Sequence, residues 1–333
     1  MIKIGVIGYG YWGPNIVRNF IAIPNCRVTR ISDIDPESLS RVNSLYPSIE
    51  TSTHVDDILN STEIDAVGVI TPVSTHYEFA LKALLNGKHV FVEKPFTLTS
   101  DQAKRLIDEA DKRNLVIMVD HTFLFTGAVK KMNQLIGEGA LGKLLYYDST
   151  RVNLGLFQHD VNVVWDLAPH DLSIMDHLIK EKAEAVVATG ANHFNGLEEM
   201  AYITVFLPNS IIAHINVNWL SPVKVRKTLI GGEKKMLVWN DLEPDEKIKI
   251  YDKGIDINSR KGVYDLLVSY RSGDMLAPKV EQTEALRLES EYFVNCIERN
   301  EKPINDGESG LRVVQILEAS DQSLRNRGEL VEL

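Results

Sequence analysis

The apolar run Val90-Phe91-Val92 ends abruptly in Glu93-Lys94-Pro95. An ammonium delivered by a strand end can hydrogen-bond an alcohol oxygen and stabilise the negative charge that develops as its proton leaves. It also lowers the pKa of a neighbouring proton-accepting group. The plain structural alternative is a surface ion pair after a strand. A partner for Lys94 stands in "NVVWDLAPHDLSIMDHLI", where Asp166 and His170 are four residues apart and so share a helix face. Histidine titrates near neutrality and suits proton transfer to and from an alcohol. Asp166 then either holds the imidazole or bonds a substrate hydroxyl. His177 lies seven residues on, so a metal set of Asp166, His170 and His177 fits the spacing, but no pattern such as H-E-x-x-H supports it. The expected metal complement is none. Taken alone, this segment also reads as an acid-capped helix start with a core histidine.

Gly8-Tyr9-Gly10-Tyr11-Trp12-Gly13 fits G-x-G-x-x-G and lies between a strand-like and a helix-like run, the context that motif requires. Gly8 permits the tight turn, Gly10 lets backbone approach a pyrophosphate, and Gly13 lets helix and strand pack closely. Tyr11 and Trp12 lie within the same loop. The following helix N-terminus supplies free N–H groups for phosphates. Asp33 lies twenty residues past Gly13, at the end of the second strand, where an acid bonds the adenosine ribose hydroxyls. A glycine turn between packed elements explains the glycines but not Asp33. The acid repels a 2′-phosphate, so NAD is expected over NADP. "ITPVSTH" and "VEKP" are two further strand ends, which bring Thr71, Pro72, His76, Glu93 and Lys94 to the cofactor side of such a sheet.

These residues need a frame, and the first 120 or so positions provide one. Strands are expected at Lys3–Ile7, Arg27–Ser32, Ala66–Ile70, His89–Val92 and Leu115–Val119, with helices at Pro14–Ile21, Pro36–Leu45, Tyr77–Leu85 and from Ser100. Alternation with near-continuously apolar strands predicts a parallel sheet covered on both faces. After His121 the texture changes. One helix, Thr126–Ile136, precedes long period-2 runs such as "MAYITVFLPNSIIAHINVNWL", which predict a mostly antiparallel sheet. Helices are expected around Asp166–Ile179, Glu284–Asn300 and Gly310–Asn326. The predicted fold is α/β: an N-terminal Rossmann dinucleotide-binding domain, 1–121, and a C-terminal α+β domain, 122–333, that carries the Asp166 and His170 helix on the substrate side.

The bulk properties fit a two-domain globular protein. The chain has 333 residues, 44% of them apolar, and a net charge of −10, which argues against nucleic acid and anionic membrane as partners. No run approaches the roughly 18 apolar residues of a membrane span. "MIKIGVIGYG" reads as a first strand and not a leader. Cys26 and Cys296 make no metal-ligand spacing, and two buried thiols in a reducing cytoplasm are expected.

Together the motifs resemble the glucose–fructose oxidoreductase / inositol dehydrogenase family, Gfo/Idh/MocA. The resemblance rests on Gly8–Gly13, Asp33, Thr71-Pro72 with His76, Glu93–Pro95 and Asp166-x-x-x-His170, and it runs over most of the chain. It implies NAD(P)-dependent oxidation or reduction of a sugar-like alcohol, with Lys94, Asp166 and His170 as the catalytic cluster and His170 as base. It also implies a cis Lys94–Pro95 bond and a homodimer or homotetramer built on the open sheet. Two departures stand out. Many relatives carry an "RF" pair after the sixth strand, where this chain has Phe123-Leu124 with His121 nearby. The glycine-rich lead-in to D-x-x-x-H is replaced by "HDVNVVW", which sets Trp165 near the cofactor and His159, Asp160 and Asn162 toward the substrate. The stretch from Arg151 to Leu178 looks like family members associated with nucleotide-sugar and surface-polysaccharide pathways. The specific expectation is a UDP-sugar such as UDP-N-acetylglucosamine, oxidised at C3, with Arg151 available to a diphosphate. The competing readings are an NAD-dependent glycoside hydrolase on the same fold and a non-catalytic NAD-binding regulator.

Overall fold

The computed structural model describes residues 1–155, 160–194, 196–257 and 268–333, without the side chains of 254–257 and 268–271. Two compact units result: Met1–Phe125 with Thr283–Gln315, and Thr126–Gln282 with Ile316–Leu333. In chain order the elements begin β1 Ile2–Ile7, α1 Gly13–Ile21, β2 Cys26–Ser32, α2 Pro36–Leu45, β3 Glu50–Ser52 and α3 Asp56–Leu59. They continue with β4 Ala66–Val69, α4 His76–Leu85, β5 His89–Val92, α5 Ser100–Arg113 and β6 Ile117–Val119. Next come α6 Gly127–Gly137, β7 Leu144–Leu154, α7 Val163–Leu178, β8 Ala185–Ala191, β9 Met200–Leu207 and β10 Ile211–Asn218. The chain ends with β11 Leu220–Gly232, β12 Met236–Asn240, β13 Ile248–Tyr251, β14 Gly254–Ile257, β15 Val268–Arg271, β16 Met275–Leu276, α8 Ala285–Arg299, α9 Gly307–Arg325 and β17 Val331–Glu332.

In the first unit six parallel strands pair in the order β3-β2-β1-β4-β5-β6. The order reverses at β1 and β4, so the carboxyl ends of these strands form the switch point at which open α/β sheets bind ligands. All four residues of β4 are buried, as expected of a strand covered on both faces. α8 joins this unit through an aromatic trio. Phe20 of α1, Phe91 of β5 and Phe293 of α8 meet edge-on, with centroids 5.6–6.2 Å apart. Such pairs contribute about 0.5–1.5 kcal/mol each beyond burial. Arg18 and Glu284 add an ion pair at 2.5 Å, which is exposed and so worth little.

The second unit is built on nine strands in the order β16-β13-β12-β11-β7-β10-β9-β8-β17. Only β7 and β10 run parallel; the other neighbours are antiparallel. β14 and β15 form a separate antiparallel pair. The period-2 pattern decides the faces: Ala201, Ile203, Val205 and Leu207 of β9, with Ile211, Ala213, Ile215 and Val217 of β10, are buried on the side that α7 packs across. The predicted pairing of a Rossmann sheet with a mostly antiparallel sheet is therefore the architecture found.

Several boundaries differ for identifiable reasons. β3 and α3 are too short to show a periodic pattern. α5 does start at Ser100 as expected, and its cap is Thr99, whose hydroxyl accepts from the Gln102 N–H. α7 starts at Val163 and not at Asp166, because Asn162 Oδ1 accepts from the N–H groups of Val164 and Trp165. α9 starts at Gly307, where Asp306 accepts from the Ser309 N–H at 2.9 Å.

Candidate active site

The turn after β1 is shaped by backbone. Gly8 has φ +98°, and a Cβ there would lie 2.3 Å from the Ile70 carbonyl oxygen at the end of β4. Any other residue would collide with the neighbouring strand end. A Cβ on Gly13 would lie 2.8 Å from the Gly8 carbonyl oxygen, so α1 starts against the turn itself. Gly10 is exposed and a Cβ on it would meet nothing within 4 Å, so this backbone is open to an approaching group. α1 has no side-chain cap and no acid in its first turn, which leaves its N-terminus to attract an anion. Tyr11 is exposed and stacks on Trp12, with ring centroids 6.5 Å apart.

Asp33 follows β2 and reaches back to this loop. Its Oδ2 accepts from the Tyr9 N–H at 2.6 Å and its Oδ1 from the Asp35 N–H at 2.8 Å. Each oxygen keeps a second lone pair, and the side chain is half-buried.

The next two strand ends are joined by His76. This imidazole is buried, with Nδ1 2.8 Å from the Pro95 carbonyl oxygen and Nε2 2.8 Å from that of Thr71. Burial, the largest cause, pushes its pKa below the usual histidine value, against the pull of the carbonyls toward the protonated ring. Thr71 Oγ1 accepts from the Thr75 hydroxyl at 2.7 Å, while Pro72 is exposed. The Lys94–Pro95 peptide is cis. Glu93 and Lys94 are half-buried, and the Glu93 carboxyl accepts from the Lys94 backbone N–H. Burial first, then the nearby Asp120 carboxylate, raises the Glu93 pKa well above the usual carboxylate range. Asp120 follows β6, next to the buried His121.

In the second unit the chemistry lies on α7. Asp166 occupies its first turn, and Asp166 Oδ2 accepts from the Trp219 indole N–H at 3.1 Å. His170, one turn on, is half-buried, and its carbonyl accepts from the Ser173 hydroxyl. Pro169 lies inside the helix and removes one N–H from its ladder. The indole of Trp165 donates to Asp321 Oδ2 at 2.9 Å, and Asn162 Nδ2 donates to Glu198 and Asp321. Burial raises the Asp321 pKa. Arg151 is 3% exposed and forks onto Asp171, with Nε donating to Oδ2 at 2.5 Å. Asp160 is exposed; His159 lies outside the described residues. Burial depresses the His177 pKa, and among the described residues no group of His, Cys, Asp or Glu side chains could hold a metal ion.

The first unit thus gathers Gly8–Gly13, Asp33, Thr71, His76, Glu93 and Lys94 at adjoining strand ends. The second gathers Asn162, Trp165, Asp166 and His170 on the opening turns of one helix. Sequence reading passes over Asp120 and Glu289. Both carry a signal: Asp120 ends an apolar strand as Asp33 does, and Glu289 sits on the buried stripe of α8 with Leu286, Ser290 and Phe293.

A family model for oxidoreductases with an NAD-binding Rossmann fold matches residues 2–121, and the GFO/IDH/MocA C-terminal domain matches 129–238. The chain belongs to the GFO/IDH/MocA oxidoreductase family. It is an enzyme of that family, and its cofactor is NAD. The loop after β1 fits that cofactor: open backbone at Gly10, an uncapped α1, and an acid at the end of β2. An uncharacterised oxidoreductase of Streptococcus pneumoniae is 26% identical over 230 residues, 64% of this chain and 61% of that one. UDP-N-acetylglucosamine 3-dehydrogenase of Acidithiobacillus ferrooxidans is 27% identical over 319 residues, 94% of each chain. Its solved structure superposes with a TM-score of 0.83 at 24% identity over 98% of each chain. Scyllo-inositol dehydrogenase of Lactobacillus casei, solved with NAD(H) and scyllo-inositol, gives 0.81 at 20% identity over 100% of this chain and 99% of that one. No helix among the described residues is long and apolar enough to cross a membrane.

Proposed function

We propose that this chain is a nucleotide-sugar dehydrogenase that oxidises a secondary ring alcohol, with C3 of UDP-N-acetylglucosamine the first candidate position. The observation that carries this reading is the 94% coverage of both chains in the match to a UDP-N-acetylglucosamine 3-dehydrogenase. It is supported by the intact set of Lys94, Asp166 and His170. NAD, when bound, accepts the hydride at nicotinamide C4. Gly8, Gly10, Tyr11, Trp12 and Gly13 cradle its diphosphate, and Asp33 receives its adenosine ribose hydroxyls. Thr71, Pro72, His76 and Glu93, at the neighbouring strand ends, would help to hold its nicotinamide half.

Lys94 hydrogen-bonds the alcohol oxygen and stabilises its charge as the proton leaves. His170 takes that proton. Asp166, held by the Trp219 indole, orients the imidazole or a substrate hydroxyl. Trp165 is included in the reading as a residue that would contact the cofactor. No substrate role is assigned to Arg151 or Asn162, whose polar groups serve Asp171 and the start of α7, or to the buried His121. A homo-oligomer formed through the outer face of the large sheet is part of the reading, supported by exposed Tyr202 and Ile212 there. Sedimentation of wild type against Ile212→Glu checks it.

The test is absorbance at the NADH band with purified protein, NAD and a panel of free sugars, inositols and UDP-sugars. Signal with a UDP-sugar and not with free sugars is expected. Signal with inositols or free sugars alone would contradict the substrate class. Silence across the panel would contradict the dehydrogenase reading.

A further inference from the structure

Behind the Lys94 turn three carboxyls are packed together inside the first unit. Asp120 is 1% exposed and its backbone N–H donates to the Val92 carbonyl at 2.7 Å, which sets it beside Glu93. Glu289 of α8 is fully buried; its Oε1 accepts from Asn305 Nδ2 at 2.8 Å, and the same amide donates to the Val119 carbonyl. Both glutamate side chains come within hydrogen-bonding reach of the Asp120 carboxyl. Carboxyls can hydrogen-bond each other only through a proton. Glu93 and Glu289 each bury an Oε2 atom that no N–H or O–H donor reaches. Those two oxygens are where protons belong. Asp120, by contrast, is supplied with donors: Trp12 Nε1 to Oδ2 at 3.3 Å, and the Thr122 hydroxyl to Oδ1. With a proton on each glutamate, Asp120 has three donors, the two glutamates and Trp12, and the one hydrogen of the Thr122 hydroxyl serves either Asp120 or Glu289.

We propose that Asp120 is an anionic positioning residue, the one ionised member of a trio in which Glu93 and Glu289 keep their protons and donate them to it. Its charge fixes the Trp12 indole of the cofactor loop and holds Glu93 neutral next to Lys94. The significance for turnover rests on the reading of Lys94 given above; the protonation pattern does not. The charged group that acts on the trio from outside it is Lys94, next to Glu93; His121 follows Asp120 in the chain, and His76 lies near Lys94. Burial, with Asp120 next, pushes both glutamates well above the usual carboxylate range. Their folded pKa values exceed the unfolded ones. The stability they lend is full below the unfolded pKa and is lost as pH rises through the folded pKa.

Two variants separate the parts. Glu289→Gln replaces the donor O–H by an amide N–H and keeps the acceptor toward Asn305. It should remove one protonated-carboxyl C=O band from the infrared spectrum at neutral pH. It should also flatten the fall in unfolding temperature that sets in as pH rises above the ordinary carboxylate range. An unchanged band pattern, or a steeper fall, would overturn the proton assignment. Asp120→Asn should weaken NAD by tenfold or more in calorimetry, with Asp120→Glu recovering part of that loss; wild-type affinity in Asp120→Asn would overturn the positioning role. If Asp120→Asn fails to fold, the infrared band of Glu289→Gln still decides the protonation. A turnover failure in Lys94→Met leaves both readouts untouched, so the two proposals fail separately.

Discussion

The strand ends of the first unit and the opening turns of α7 in the second hold their residues by opposite means. Around Gly8 the backbone decides: positive φ and a carbonyl oxygen 2.3 Å from where a Cβ would be. Around Asp166 side chains decide: Asn162 caps the helix, Trp165 and Asn162 share Asp321, and Trp219 donates to Asp166. A backbone-defined site offers one shape to a common cofactor and tolerates little change. A side-chain-defined site can be retuned piece by piece, which suits the part of an enzyme that distinguishes substrates.

This contrast orders the expected losses. Lys94→Met and His170→Ala should each cut turnover by about 10²–10⁴-fold, the usual worth of a positioned proton-transfer or charge-stabilising group, with NAD affinity unchanged. Partial recovery of His170→Ala at high pH is expected in a pH–rate profile. Wild-type turnover in either variant would remove that residue from the mechanism. Gly8→Ala should lose NAD binding in calorimetry and about 2–3 kcal/mol of stability, as strained backbone and overpacking do together. Gly10→Ala, with open space at its Cβ, should keep wild-type stability. Equal damage from the two glycine variants would break the backbone half of the comparison.

Asp33→Ala removes a carboxylate that accepts from Tyr9 and Asp35, at about 1.5–3 kcal/mol for a charge-assisted bond, and should raise relative NADP use in a cofactor competition assay. Unchanged cofactor preference would detach Asp33 from the ribose. Asn162→Ala should cost the least, about 0.5–2 kcal/mol in thermal unfolding for a lost helix cap, and should slow turnover only through Asp166 and His170. A loss of NAD affinity in Asn162→Ala with no loss of stability would make the residue a ligand contact instead of a cap.

The sequence made the first unit legible because its signals are local. G-x-G-x-x-G, an acid at a strand end and apolar strands alternating with helices are each local patterns, and a parallel sheet covered on both faces followed from them. The long alternations of β9 and β10 gave the mostly antiparallel sheet in the same way. What stayed hidden was set by distant partners. Arg151 reads as an available cation until Asp171 is found forked on it. Asp166 reads as a cap until Asn162 takes that place. Asp120 and Glu289 are 169 positions apart, and nothing local shows that two acids share one buried space.

The central claim is that a ring-carbon hydride leaves the sugar for nicotinamide. The most direct test is UDP-N-acetylglucosamine carrying deuterium at C3, incubated with the enzyme and NAD, followed by mass measurement of the recovered nicotinamide cofactor. The account predicts one deuterium in the reduced cofactor. Unlabelled cofactor, with NAD binding demonstrated on the same sample, would contradict it.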